Sequence, residues 1–331
     1  ERSLQIAVRE IVQTNEFLTL MLHMQKQGLY PLVMKGYICR SLWPEPYLRP
    51  SVDEDIYVRR ADALAAHEFF LSEGLFCDDE EPHLAEADET SYHKKDSPTY
   101  IEMHTSLFPQ DSAAYGDCNR FFEKIDETYV EVRAEDVTLR TLPPTDHFLY
   151  LVLHAYKHFL HSGFGIRQIG DMVLFAERYG QCEGSSSNEY EKIDRDYIYN
   201  SCASQKIVPF TAALLKIGVK YFEFDRDKAG LSDIWRKEIS RIDESDLLED
   251  IMQAGLHGAS DLNRIHSSSM TLEAVQEDKV NAHSEHSKGG KARSSGAARL
   301  LRTVFPRAKS LEKRYPYLKN RPYLLPAAWI S

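Results

Sequence analysis

The sequence predicts an α+β protein, a small mixed β-sheet flanked by helices and followed by a helical domain. Three observations carry that reading. The N-terminal region alternates helical and strand-like segments that stop at Gly and Pro. Residues 90–108 read as a hairpin turning at Asp96-Ser97-Pro98. From about residue 142 the pattern becomes helical. The expected organisation is residues 1–141 as the α/β part with an N-terminal helix and 142–258 as a helical domain. Residues 259–296 would be a flexible linker, and 297–331 a C-terminal segment packing back on the body.

Each element has a local cause. Residues 3–27 carry Leu4, Val8, Ile11, Leu18 and Met21 at helical spacing. YPLVMKG is a short apolar run ending at Gly36, a buried strand and a turn. YICRSLW suits a helix of about two turns, closed by Pro44 and a Pro-rich loop. DIYV is strand-like, and ADALAAHEFFLSEG is a helix with a C-terminal glycine, Gly74. Residues 77–90 are acidic and read as loop. In the second hairpin arm Ile101 and Met103 alternate with Glu102 and His104. Pro-Pro and a Thr145 cap open the next helix, and 166–180, 189–223 and 242–255 also read as helical. Ser, His, Lys and Gly dominate 259–296, whereas the tail RYPYLKNRPYLLPAAWI is aromatic and Pro-rich.

Composition narrows the function classes. The formal net charge of the 331 residues is -11, which argues against general nucleic-acid binding, because phosphate-backbone affinity needs clustered Lys and Arg. The five cysteines are dispersed and form no CxxC pair, so reduced thiols in a cytoplasmic setting are expected. No apolar run approaches the roughly 18 residues of a membrane span.

The stretch RPSVDEDIYV sets Asp53 and Asp55 on one face of a strand, with Glu54 between them. Strands tend to exclude Asp. The bland explanation is a charged edge strand that resists aggregation. The sharper one is a cation site, since two carboxylates about 7 Å apart along a strand can converge on one Mg²⁺. A third acid is then expected on a neighbouring strand, and Glu102 qualifies, with His104 on the same face. Upstream, Gly36 and its following helix offer backbone N–H groups, with Lys35, to a phosphate. Lys35, Arg40 and Arg49 are the local cations for a triphosphate.

These segments, LVMKGYICRSLWPEPYLRPSVDEDIYVRRADALAAHEFFLSEGLF and then YIEMHTSLF, resemble the uncharacterised nucleotidyltransferase family, within the polymerase-β-like nucleotidyltransferase superfamily. HFLYLVLHAYKHFLHSGFGIRQIGDMVLF is similar to that family's helical segment, and RYPYLKNRPYLLPAAWI to its closing one. The likeness covers most of the chain, with gaps at roughly 77–98 and 182–295. The resemblance implies that Asp53, Asp55 and Glu102 are catalytic and hold Mg²⁺ (or Mn²⁺). It assigns Lys35, Gly36 and Arg49, with Arg40 nearby, to the nucleotide, and Glu102-x-His104 to the third-acid strand. The superfamily's usual Gly-Ser turn is Gly36-Tyr37 here, and Lys35 is expected to take the place of the missing hydroxyl.

The implied reaction moves a nucleoside monophosphate from an NTP to an unidentified small-molecule or protein acceptor, with release of pyrophosphate. His104, His154, His158 and Arg167 are candidates for the acceptor side. A second class is a catalytically silent nucleotide-binding module of the same fold. A third is a metal hydrolase centred on His147, His154, His158 and His161, which fall on one helical stripe. Arg167 and Asp171 stand i, i+4 and read as a helix-surface pair.

Overall fold

In the computed structural model of the chain, residues 2–79, 83–110, 112, 115–161, 165–180 and 192–254 are described. The expected linker and closing segment lie outside them. The fold is α+β, as expected. The elements run α1 (Arg2–Lys26), β1 (Leu32–Val33), α2 (Gly36–Arg40), β2 (Glu54–Tyr57), α3 (Ala63–Ser72), β3 (Leu75–Cys77), β4 (Glu89–Lys94), β5 (Tyr100–His104), β6 (Val130–Ala134) and β7 (Val137–Thr141). Helices follow: α4 (Pro144–His161), α5 (Ile166–Gly180), α6 (Arg195–Ser204), α7 (Val208–Tyr221), α8 (Asp233–Arg241) and α9 (Ser245–Ala254).

The seven strands form one mixed sheet in the order β3-β4-β5-β2-β1-β7-β6. The acid-bearing β2 is therefore central, antiparallel to β1 and parallel to β5. That removes the edge-strand explanation, because both sides of β2 are already paired. The hairpin of β4 and β5 turns where the sequence placed it, with Asp96 at φ +58°.

Strand alternation sorts residues between the two faces. Ile56, Ile101, Met103 and Tyr92 are buried with Phe69 and Phe70 of α3, and the Phe70 and Tyr92 rings stand 4.7 Å apart. Helix α1 covers the same face, where its Glu16 accepts from Ser97 and Thr99. The opposite face carries Asp55, Glu102 and His104 and is covered by α4, whose Lys157 lies 3.7 Å from Glu89 of β4. One buried apolar cluster runs through sheet and helices alike, from Phe17 to Ile251.

Several elements differ from expectation. In α1, Leu18 and Met21 are buried as expected, but Leu4, Val8 and Ile11 are exposed, and the first turns bury Ala7, Glu10 and Gln13 instead. The first turns of the helix thus face the core with polar groups, because a carboxylate–guanidinium layer lies beneath them. The 189–223 segment breaks into α6 and α7 at Lys206, φ +61°. Thr145 lies inside α4, its hydroxyl accepting from the Asp194 N–H at 2.8 Å. The β6–β7 hairpin and α8 escaped the sequence reading. The hairpin alternates weakly, and its turn residue Glu135 takes φ +51° without a glycine to mark it. Among the described residues no helix is long and apolar enough to cross a membrane.

Candidate active site

The parallel pairing of β2 with β5 sets Asp55 directly opposite Glu102 and Tyr57 opposite His104. Side chains two apart on a strand share a face, so Asp55, Glu102 and His104 converge. One ligand atom from each of the three lies within 4.8 Å of the other two. His104 Nε2 stands 3.3 Å from Asp55 Oδ1 and 3.9 Å from Glu102 Oε2. Asp53, just before the strand, is joined to the group through Lys35, whose Nζ is 3.0 Å from Asp55 Oδ2 and 3.9 Å from Asp53 Oδ2. Asp55 is fully buried, whereas the side chains of Asp53 and Glu102 keep about a fifth of their surface in solvent.

The electrostatics follow from that crowding. Burial raises the Glu102 pKa, and Asp55 and Asp53 add to it, to about 8. Burial alone would also raise Asp55, but Lys35 and His104 outweigh it and hold its carboxyl below the usual range. For Lys35 burial opposes the charge, yet Asp53, Asp55 and Glu102 prevail and the ammonium is held on. The ammonium also lies 3.1 Å from Nε2 of His154, one helical turn after Tyr150 on α4. Burial, then Lys35 beside it, hold His154 well below the ordinary histidine range, so its neutral ring accepts from Lys35. His158 Nε2 sits 3.3 Å from the same nitrogen.

A family described as uncharacterised nucleotidyltransferase matches residues 1–216. The chain belongs to this family. The matched span takes in the whole sheet and the helices α4 to α6, hence every side chain placed in the site above. No curated protein and no solved structure matches the chain.

In this nucleotidyltransferase-family chain some expected site residues have other roles. Glu54 points to the α1 face, fully buried, where it pairs with Arg40 and accepts the Tyr37 N–H at 2.8 Å. The N–H at the start of α2 that the sequence offered to a phosphate is therefore committed to Glu54. Gly36 makes room for this: a Cβ there would fall 2.1 Å from Glu54 Oε2, and its φ is +34°. Arg40 is also corrected to a structural role, buried beneath α1 with Glu54, Glu10 and Thr14 as partners. Arg49 is the third correction. It grips Asp171 of α5 with two hydrogen bonds of 2.7 Å, and Trp43 donates to the same carboxylate. Asp171 is thus paired with Arg49 rather than with Arg167. Arg167 donates instead to the Pro50 carbonyl, in the loop that leads to Asp53; burial, then Arg49, lower its pKa against the opposing pull of Asp171 and Asp53.

The histidine stripe divides. His147 packs against Phe175 and Thr141, away from the site, while His154 adjoins Lys35 and His158 adjoins His154. The His161 side chain lies outside what the structure describes. Among the described residues no third ligand-bearing side chain joins His154 and His158, so the hydrolase alternative finds a pair and no centre. Glu89 was missed. It lies opposite His104 in the β4–β5 ladder, 3.6 Å from His104 Nδ1. Counting outward from the Asp96-Ser97-Pro98 turn would have found it, since Lys94 bonds Thr99 and each step outward keeps register.

Proposed function

We propose that this chain is a metal-dependent nucleotidyltransferase that moves a nucleoside monophosphate from an NTP to an acceptor hydroxyl, phosphate or amine, releasing pyrophosphate. The observation that carries the reading is the in-register pairing of Asp55 with Glu102 on central parallel strands, with Asp53 beside them. The donor set suits a divalent cation. Asp55 is ion-paired to Lys35 through Oδ2 and turns Oδ1 toward His104, in a group with Glu102 whose ligand atoms all lie within 4.8 Å of one another. Asp53, Asp55 and Glu102 would hold the ion, which when bound offsets triphosphate charge and favours in-line attack.

The chain's own groups then have distinct tasks. Glu102, whose side chain keeps about a fifth of its surface in solvent where Asp55 keeps none, takes the proton of the acceptor as the acceptor oxygen or nitrogen attacks the α-phosphorus. The bond from that phosphorus to the bridging oxygen breaks, and its electron pair leaves with pyrophosphate. Lys35, held charged and steered by His154, offers a cation to the triphosphate oxygens. Arg167, on the loop side of Asp53, replaces Arg40 and Arg49 in that task. His158 stands toward the acceptor.

The test is a panel of NTPs offered to the full chain with sugars, aminoglycosides, peptides and proteins as acceptors. Asp53→Asn and Asp55→Asn should each abolish turnover while leaving the circular dichroism spectrum unchanged. Turnover near the wild-type level in either variant would remove the assignment. Nucleotide binding without transfer to any acceptor would favour the silent module.

A further inference from the structure

We infer that His104 is itself a metal ligand, through Nε2, and that the site therefore selects a first-row transition dication, Mn²⁺ among them, over Mg²⁺. This rests on the reading of the carboxylate group as a cation site and adds to it the identity of the ion.

The geometry starts from the two ring nitrogens. Nε2 points at the carboxylates, 3.3 Å from Asp55 Oδ1 and 3.9 Å from Glu102 Oε2. Ligands about 2.1 Å from a six-coordinate ion stand about 3.0 Å apart at right angles and about 4.2 Å apart when opposite. Both observed separations fall inside that interval. Nδ1 points the other way, to Glu89 Oε2 at 3.6 Å. A metal-bound imidazole almost always directs its other nitrogen to a carboxylate or carbonyl, which fixes the tautomer and turns the free lone pair to the ion. Glu89, His104 and the Asp55–Glu102 pair stand in that sequence across three adjacent strands. Lys157 of α4, 3.7 Å from Glu89, helps to hold the outer carboxylate in place. His104 is 2% exposed, so the ring is fixed by packing before any ion arrives. Asp55 Oδ2, fully buried in the same cluster, is held by the Lys35 ammonium at 3.0 Å, so Oδ1 is the oxygen turned toward His104.

The ion's identity follows from ligand chemistry. Mg²⁺ takes oxygen donors and gains little from an imidazole, whereas transition dications accept nitrogen readily. A carboxylate pair with one imidazole therefore discriminates in their favour.

The experiment uses the full chain stripped of metal. Mn²⁺ binding is followed by electron paramagnetic resonance, with Mg²⁺ as competitor, and nitrogen couplings to the bound Mn²⁺ are read by pulsed methods on the wild type. The expected result is an imidazole ¹⁴N coupling and Mn²⁺ affinity at least tenfold above that for Mg²⁺. His104→Gln should lose the coupling and weaken Mn²⁺ about 10- to 100-fold while changing Mg²⁺ affinity less than threefold. Glu89→Gln should keep the coupling and weaken Mn²⁺ by a smaller factor. Wild-type Mn²⁺ bound without any ¹⁴N coupling overturns the inference whether or not the variants fold. Equal affinity for the two ions overturns it as well. If Mn²⁺ binding depends on Asp55 but not on His104, the cation site stands and only the role of His104 falls. If no divalent ion binds the wild type, both fall.

Discussion

Asp53, Glu54 and Asp55 are consecutive acids with opposite fates. Asp55 faces α4 and the candidate site, while Glu54 faces α1 and is neutralised by Arg40. Alternation along a strand made the grouping of Asp53 with Asp55 legible. The task of Glu54 was not legible, because it depends on a helix start brought against it by the fold. Gly36 is the residue on which that contact turns. Gly36→Ala should cost about 1–3 kcal/mol, since a side chain at φ +34° is strained and its Cβ collides with the Glu54 carboxylate. Urea unfolding measures it, and an unchanged midpoint would show that the turn relaxes freely. Glu102→Gln should weaken binding of the cation–nucleotide pair less than Asp53→Asn does, yet reduce turnover severely, because a proton acceptor is lost while a ligand oxygen remains. Comparison of KM with kcat in the two variants checks this. His147 gives a pH signature of its own. Burial lowers its pKa to about 3 from the model-peptide 6.5. Below pH 6.5 the unfolded chain takes up a proton that the folded chain refuses, so stability falls as pH drops from about 6.5 toward 3. His147→Gln should flatten that part of the stability–pH curve, and parallel curves for the two proteins would contradict the assignment.

At the scale of elements, α1 shows how tertiary context overrides periodicity. Its apolar residues Leu4, Val8 and Ile11 keep helical spacing, and the sequence therefore assigns them to the core. They are exposed, because α1 turns Glu10, Gln13 and Thr14 inward to meet Arg40, Glu54 and the Ser51 N–H. Arg40→Met should destabilise the protein by about 3–5 kcal/mol, since it leaves Glu10 and Glu54 buried without a counter-charge. Loss below 1 kcal/mol in a chemical unfolding series would show that water or a shifted side chain supplies one. The β4–β5 hairpin was legible in turn, register and face, because each is fixed by neighbours in the chain. The pairing of β5 with β2 is non-local, and it was expected only because a cation site beside Asp53 and Asp55 needs a third acid and because of the resemblance.

For the whole molecule, the sheet and the helices after it share one apolar cluster and are joined by polar contacts, two of which bear directly on the acids. Arg49 of the loop before β2 grips Asp171 of α5, and Lys35 of the site meets His154 of α4. Both contacts bear on the loop and strand that carry Asp53 and Asp55. Sequence reading took Arg49 for a phosphate contact and Asp171 for a surface pair, because nothing local shows that residues so far apart in the chain meet. The most direct test of the account follows the phosphorus of the nucleotide. The full chain is incubated with divalent cation, acceptor panel and NTP labelled at either the α- or the γ-phosphate. The account predicts that α-label moves to an acceptor and γ-label leaves as pyrophosphate, and that Asp55→Asn does neither. Release of γ-label as orthophosphate, or transfer undiminished in Asp55→Asn, would contradict it.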